Sequence, residues 1–197
     1  MNLRRSKGLN LILKVSVELI SEKGYSGTSM RDIAEKAGLQ PGSLYAHIDS
    51  KEDILAEIVL SGLEEFLKVK KIIESCDASP EEKLRKAINL HLGVALNDRA
   101  RSLVAIHQWR YLNEPKRSLA DKKRRDYVQM FTDILDEGAR CMVRNRSLNK
   151  GYNTKVQALM ILGALNWTME WYSRGGSDSQ EQIGENLADM VLHGLAH

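Results

Sequence analysis

Ser29-Met30-Arg31-Asp32-Ile33-Ala34-Glu35-Lys36-Ala37-Gly38-Leu39-Gln40-Pro41-Gly42-Ser43-Leu44-Tyr45-Ala46-His47 is the stretch from which the fold can be read. Ser29 followed three positions later by Asp32 has the form of a capping box, in which each side chain satisfies an orphan N–H group near the other. The helix that opens there buries Ile33 and Ala37 and stops at Gly38. Pro41 then falls in the first turn of a second short helix, Pro41 to His47, where its missing N–H costs nothing. Two short helices joined by Ala37-Gly38-Leu39-Gln40 have the length and turn of a helix-turn-helix. Ile33, Ala34, Leu39 and Leu44 are placed to lock the angle between them.

The outward positions of the second helix are Gln40, Gly42, Ser43, Tyr45 and His47, all small or hydrogen-bonding, with no acid among them. Such a face can enter a major groove about 12 Å wide and offer donors to bases and phosphates. Lys51 opens the next helix, where its charge opposes the helix dipole. That placement suits a phosphate lying beside it.

Outward from this motif the chain is helical in both directions. Leu11, Ile12, Val15, Leu19 and Ile20 form an apolar stripe ended by Gly24. Ser50 and Asp53 form a second capping box, followed by a long helix carrying Ile54, Leu55, Ile58, Leu63, Phe66 and Leu67. Ser79-Pro80-Glu81-Glu82 opens a helix whose buried face is Leu84, Ala87, Ile88, His91, Leu92 and Ala95. A further helix is expected from about Arg99 to Leu112, breaking near Asn113-Glu114-Pro115, and the next carries Leu119, Val128, Phe131, Leu135, Ala139 and Met142. After a polar loop from Asn145 to Asn153, two last helices span roughly Thr154 to Ser173 and Ser179 to Leu195. No alternating strand pattern appears. The expectation is an all-α protein of about nine helices: a three-helix helix-turn-helix domain at 1–50 and a larger helical domain at 51–197.

Composition narrows the class. A chain of 197 residues that is 43% hydrophobic and 28% charged can bury a core. A net charge of +3 says little alone, although Arg4, Arg5 and Lys7 make a basic start. The start is not followed by a cleavage-site pattern, and no apolar run approaches the ~18–20 residues of a membrane span. Cys76 and Cys141 lack metal-ligand spacing and read as reduced thiols of a cytoplasmic protein. No nucleophile–base pairing, metal spacing or phosphate loop supports an enzyme, and Gly175-Gly176 reads as a loop.

Gly24 through Gly38, with Gly42-Ser43-Leu44-Tyr45-Ala46-His47-Ile48-Asp49-Ser50-Lys51-Glu52, closely resembles the DNA-binding domain of the TetR family of repressors, over about residues 9–59. The resemblance implies that Ser29 and Arg31 contact the DNA backbone or flanking bases. It also implies that Gln40, Pro41, Ser43, Tyr45 and His47 belong to the recognition helix, with Tyr45, His47 and Lys51 largely on phosphate. Two positions depart from the family pattern: Ala46 replaces an aromatic or histidine, and Ile48 a common phenylalanine. Ile48 is expected to keep the inward packing.

An operator reader of this kind pairs two half-sites ~34–36 Å apart, so the rest of the chain must dimerise. Val156, Leu159, Met160, Gly163 and Ala164 on one terminal helix, with Leu187, Met190, Val191 and Leu195 on the other, are the expected interface. The resemblance likewise implies an intersubunit four-helix bundle. Ile106 to Leu112 and Gly163 to Gly176 look like the branch of the family that senses acyl-CoA thioesters, including repressors of fatty-acid, phenylacetate and sterol-fragment degradation. All three tryptophans lie in these two runs. The expected effector residues are His107, Trp109, Arg110, Tyr111, Asn166, Trp167, Trp171 and Arg174, with Arg101, Lys122 and Arg125 as outer contacts for a phosphate-bearing ligand. The expected function is ligand-gated repression of palindromic operators by a cytoplasmic homodimer, with no cofactor apart from the effector. Two alternatives keep DNA binding: a cationic-drug sensor using Glu170 beside the tryptophans, and a binder with no ligand gate.

Overall fold

The computed structural model describes residues 3–143, 153–173 and 175–195, with side-chain surroundings for all of these apart from 3–7, 41, 141–143 and 195. Among the described residues there are nine α-helices and no strand. They are α1 (Leu3–Lys23), α2 (Met30–Lys36), α3 (Pro41–Tyr45), α4 (Lys51–Glu74), α5 (Pro80–Asn97), α6 (Arg99–His107), α7 (Lys116–Val143), α8 (Thr154–Trp171) and α9 (Gln180–Leu195).

Each start has a local cause. The Ser29 hydroxyl accepts from the Asp32 N–H at 3.1 Å, and the Asp32 carboxylate accepts from the Ser29 N–H at 2.7 Å, so the capping box is complete. The same serine-led exchange starts α4 through Ser50 and Asp53, α5 through Ser79 and Glu82, and α9 through Ser179 and Gln182. Asn153 caps α8 by accepting from the Val156 N–H. Gly24 and Gly38 adopt φ values of +74° and +66°, the left-handed region that ends α1 and bends the chain between α2 and α3.

Two boundaries differ from the sequence reading. α3 stops at Tyr45 rather than His47, because the Ala46 and His47 N–H groups turn back to Leu44. α6 stops at His107 rather than Leu112; Trp109–Tyr111 tightens into a single 3-10 turn, with the Tyr111 N–H on the Gln108 carbonyl.

The chain forms two compact units, and it crosses from one to the other within α4, between α5 and α6, and within α7. Unit 1 takes in residues to 64 with 98–122; unit 2 takes in 65–97 and the chain from 123 onward. Unit 1 is centred on Ile12, Ile20, Ile33, Leu44, Ile54, Leu55 and Ile58, all fully buried, joined by Trp109 and Leu112. Full burial of each such aliphatic side chain contributes about 1.5–3 kcal/mol. In unit 2, α5 packs against α8 and α9, with Ile88, Leu92, Phe131, Leu165, Met169 and Ala188 in the interior. Among the described residues no helix is long and apolar enough to cross a membrane, and no cluster of His, Cys, Asp and Glu is gathered for a metal.

Candidate nucleic-acid interface and effector region

Among the described side chains of α3, Leu44 alone is buried and the others face solvent. Leu44 is fully buried in the unit 1 core, while Gln40, Gly42, Ser43, Tyr45 and Ala46 are exposed, Tyr45 at 54%. Arg31 and Ser29 are exposed at the start of α2. Ser29 keeps its hydroxyl occupied with the Asp32 carboxylate at 2.6 Å, and those bonds from Ser29 hold Asp32 below the usual carboxylate range. Ile48, the departure from the family pattern, packs against the core. The side chain of Pro41 lies outside the described residues.

His47 and Lys51 are drawn inward relative to the sequence reading. The His47 ring lies over Gly8 of α1 so closely that a Cβ at Gly8 would sit 2.6 Å from its Cε1, and His47 Nδ1 is buried without a hydrogen bond. Lys51 donates to the Tyr25 carbonyl at 3.0 Å and the Thr28 carbonyl at 2.8 Å, and lies 4.1 Å above the centre of the Tyr25 ring. These contacts explain a cation at a helix start: two carbonyls of the α1–α2 turn and an aromatic face receive it.

The segment after α6 is bound to the same turn. Gln108 Oε1 accepts the Tyr25 N–H at 3.2 Å, and the Tyr111 ring lies 5.4 Å from that of Tyr25. Asn113 donates through its backbone and side-chain N–H groups to Glu52, and Lys116 donates to Asp53. The bond from Lys116, with that from Ser50, holds the Asp53 carboxyl low. Burial, with Glu52 and Asp53 nearby, pushes the Tyr25 phenol up. Of the residues expected to read an effector, Trp109 is therefore part of the unit 1 core, with Arg110 over its ring at 5.0 Å, while His107 and Tyr111 are exposed in the same unit. Arg101, an expected outer contact, bonds Asp98 and Ser61.

Asn166, Trp167 and Trp171 fall in unit 2, so the expected effector set is divided between the two units. It is divided again on α8. Ala158, Ile161, Leu162, Leu165, Thr168 and Met169 are buried. The opposite face exposes Val156, Leu159, Met160, Trp167 and Trp171, Met160 at 70% and Trp167 at 66%, with Gly163 among them. The two tryptophans thus share the face expected to dimerise, not the interior. Ala164 is half-buried; on α9 Met190 is exposed while Leu187 and Val191 are half-buried. Arg174 and the side chain of Leu195 lie outside the described residues. α9 is fastened to α5 by Arg85, which reaches Glu185 at 3.0 Å and Asp189 at 2.7 Å.

Sequence reasoning placed His91 on a buried face but gave it no role. In the structure its ring is enclosed by Phe66 and Tyr127, with Nδ1 3.2 Å from the Tyr127 hydroxyl. The usable signal was a histidine on an otherwise apolar helix face. Tyr127 and Phe66 carried none, since their convergence is tertiary.

This architecture, a solvent-facing second helix of a helix-turn-helix on a chain whose described regular structure is all helical, is that of a transcriptional regulator. Residues 12–58 match the family described as bacterial regulatory proteins, tetR family, and residues 77–195 match the tetracyclin repressor-like C-terminal domain. The chain belongs to the TetR family of transcriptional repressors and is not an enzyme. It is 28% identical to the HTH-type transcriptional repressor KstR2 of Rhodococcus jostii, over 94% of this chain and 89% of that one. It is 23% identical to the fatty acid metabolism regulator protein of Bacillus subtilis, over 93% of each chain. Among solved structures, AibR in complex with isovaleryl coenzyme A and operator DNA superposes with a TM-score of 0.79 at 25% identity, covering 93% of this chain and 97% of that one.

Proposed function

We propose that the chain represses transcription by binding palindromic operator DNA as a homodimer, and that an acyl-CoA thioester releases it. The observation that carries this is the exposed, acid-free face of Gln40, Ser43 and Tyr45 around the buried anchor Leu44, with Arg31 beside it. Base edges are read from α3; Arg31 and Tyr45 hold phosphates and fix the register. Residues 1–50 carry the operator contacts, and 51–197 the effector and dimer functions, in the cytoplasm and without a cofactor.

The partner for the exposed apolar face of α8 is a second copy of the chain. Val156, Leu159, Met160, Gly163, Trp167 and Trp171 recur at helical spacing and leave a stripe that a soluble monomer rarely keeps open. Leu187, Met190 and Val191 extend it onto α9. A two-fold dimer formed there supplies the paired readers that a palindrome demands.

A relative named for fatty acid metabolism, and a structural neighbour solved with isovaleryl coenzyme A, support the effector class. The cationic-drug alternative gains no support, since its carboxylate, Glu170, is exposed in the single chain. Full switching needs an effector preference of about 10⁴-fold for the form that does not bind DNA, ~5.5 kcal/mol. The test is selection of the operator from random duplexes, then a gel shift with an acyl-CoA series. A palindrome with half-sites one turn apart, released by one acyl-CoA, is expected. Complexes that persist at saturation with every acyl-CoA would end the derepression reading; selection of no discrete site would leave a non-specific binder.

A further inference from the structure

α5, α7 and α8 bring three polar side chains together in unit 2 that neither operator contact nor dimerisation employs: His91, Tyr127 and Asn166. Their surroundings are apolar. Phe66 lies 5.0 Å from the His91 ring, and Phe131 5.7 Å from that of Tyr127. His91 is only 2% exposed, and its desolvation pushes its pKa down to about 4, which the neighbouring Asn166 amide partly offsets. Burial likewise pushes the Tyr127 phenol up, so both rings are neutral at pH 7.

The hydrogen bonding is incomplete. Tyr127 serves His91 Nδ1, whereas His91 Nε2 and Asn166 Oδ1, both buried, act on one another without closing into a hydrogen bond and have no other partner. Each such atom has given up its water without full compensation. A buried donor and acceptor left apart in this way can be completed by a group that bonds either of them. When the Tyr127 hydroxyl donates to Nδ1, Nε2 carries the proton, so the pair offers an N–H donor next to an amide.

We propose that His91, Tyr127 and Asn166 are the polar end of the effector site, and that they take an uncharged carbonyl, thioester or amide, in preference to a free carboxylate. The inference rests on the effector-gated reading above. A thioester or amide oxygen accepts from Nε2–H, and an amide N–H can also donate to Asn166 Oδ1. A carboxylate would instead have to leave water as an ion and sit beside the neutral His91, Tyr127 and Asn166, with a single neutral donor, which disfavours it. The site thus separates an activated acyl chain from its hydrolysed acid by charge.

The probes are N-acetylcysteamine thioesters with four-, eight- and twelve-carbon acyl chains, which are uncharged, against the matching free acids. Binding is read by calorimetry, and the His91 ring by NMR of histidine-labelled protein. At least one thioester is expected to shift the His91 resonances and bind at least tenfold tighter than its acid. Tyr127→Phe, which no longer fixes the proton on Nε2, and His91→Phe, which removes the donor, each checked for folding by circular dichroism, are expected to lose about tenfold for that thioester. Equal binding of acid and thioester, an unmoved His91, undiminished affinity in both variants, or no thioester binding would each overturn the proposal. Operator release separates it from the wider reading. A thioester that moves His91 but releases nothing, in a protein that no acyl-CoA releases, removes the gate and keeps the site. An acyl-CoA that releases operator while His91 stays unmoved removes the site and keeps the gate.

Discussion

His91 gives unit 2 a measurable acid sensitivity at the scale of one residue. Above pH 6.5 the ring is neutral in folded and unfolded chains alike and contributes nothing to pH dependence. As pH falls from 6.5 towards 4, the unfolded chain takes up a proton that the buried ring refuses, so stability falls. The full loss, reached near pH 4, is about 3 kcal/mol. Asp32, Asp53 and Glu82, held low by their capping and lysine partners, lose their contributions only below the ordinary carboxylate range, a separate window. Denaturant midpoints for wild type and His91→Phe between pH 7 and 4.5 check this. The wild-type slope should be steep between 6.5 and 5 and the variant nearly flat; parallel slopes would mean the ring is not held neutral.

The α1–α2 turn and the start of α4 are joined at the scale of elements, and Lys51 is the joint. Its ammonium serves the Tyr25 and Thr28 carbonyls, while Gln108, Tyr111 and Asn113 grip the same region from the segment after α6. Lys51→Met should destabilise the chain by about 1.5–3 kcal/mol, the range for hydrogen bonds to a charged group. It should weaken operator binding through a loosened turn while leaving the salt dependence unchanged. A phosphate contact would instead lower the slope of log K against log salt by about 0.9. Binding isotherms from 50 to 200 mM salt distinguish the two roles.

At the scale of the whole molecule, a second copy is proposed to cover α8. If a second copy does, Met160→Glu buries a charge in an apolar seam and should dissociate the dimer by at least a hundredfold, with the helical content of each chain retained. Sedimentation velocity together with circular dichroism checks it. Operator affinity should fall with it, because a single α3 reads only one half-site. A variant that stays dimeric would place the interface elsewhere.

The helix order, the capping serines, the bends at Gly24 and Gly38 and the solvent-facing residues of α3 were all legible in the chain, because each follows from contacts within a few residues. So was the apolar excess of α8. The side on which Trp167 and Trp171 lie was not, since tryptophan suits a core, a ligand wall and an interface alike, and only the packing of Leu162, Leu165 and Met169 turns them outward. The Ile106–Leu112 run looked like part of an effector wall. Its attachment to Tyr25, more than 80 positions earlier, depends on a long-range hydrogen bond that no local pattern encodes. Local chemistry therefore settled the family and the reading head. The meeting of His91, Tyr127 and Asn166 was decided by tertiary structure, because three helices must pack before their side chains share one low-dielectric interior.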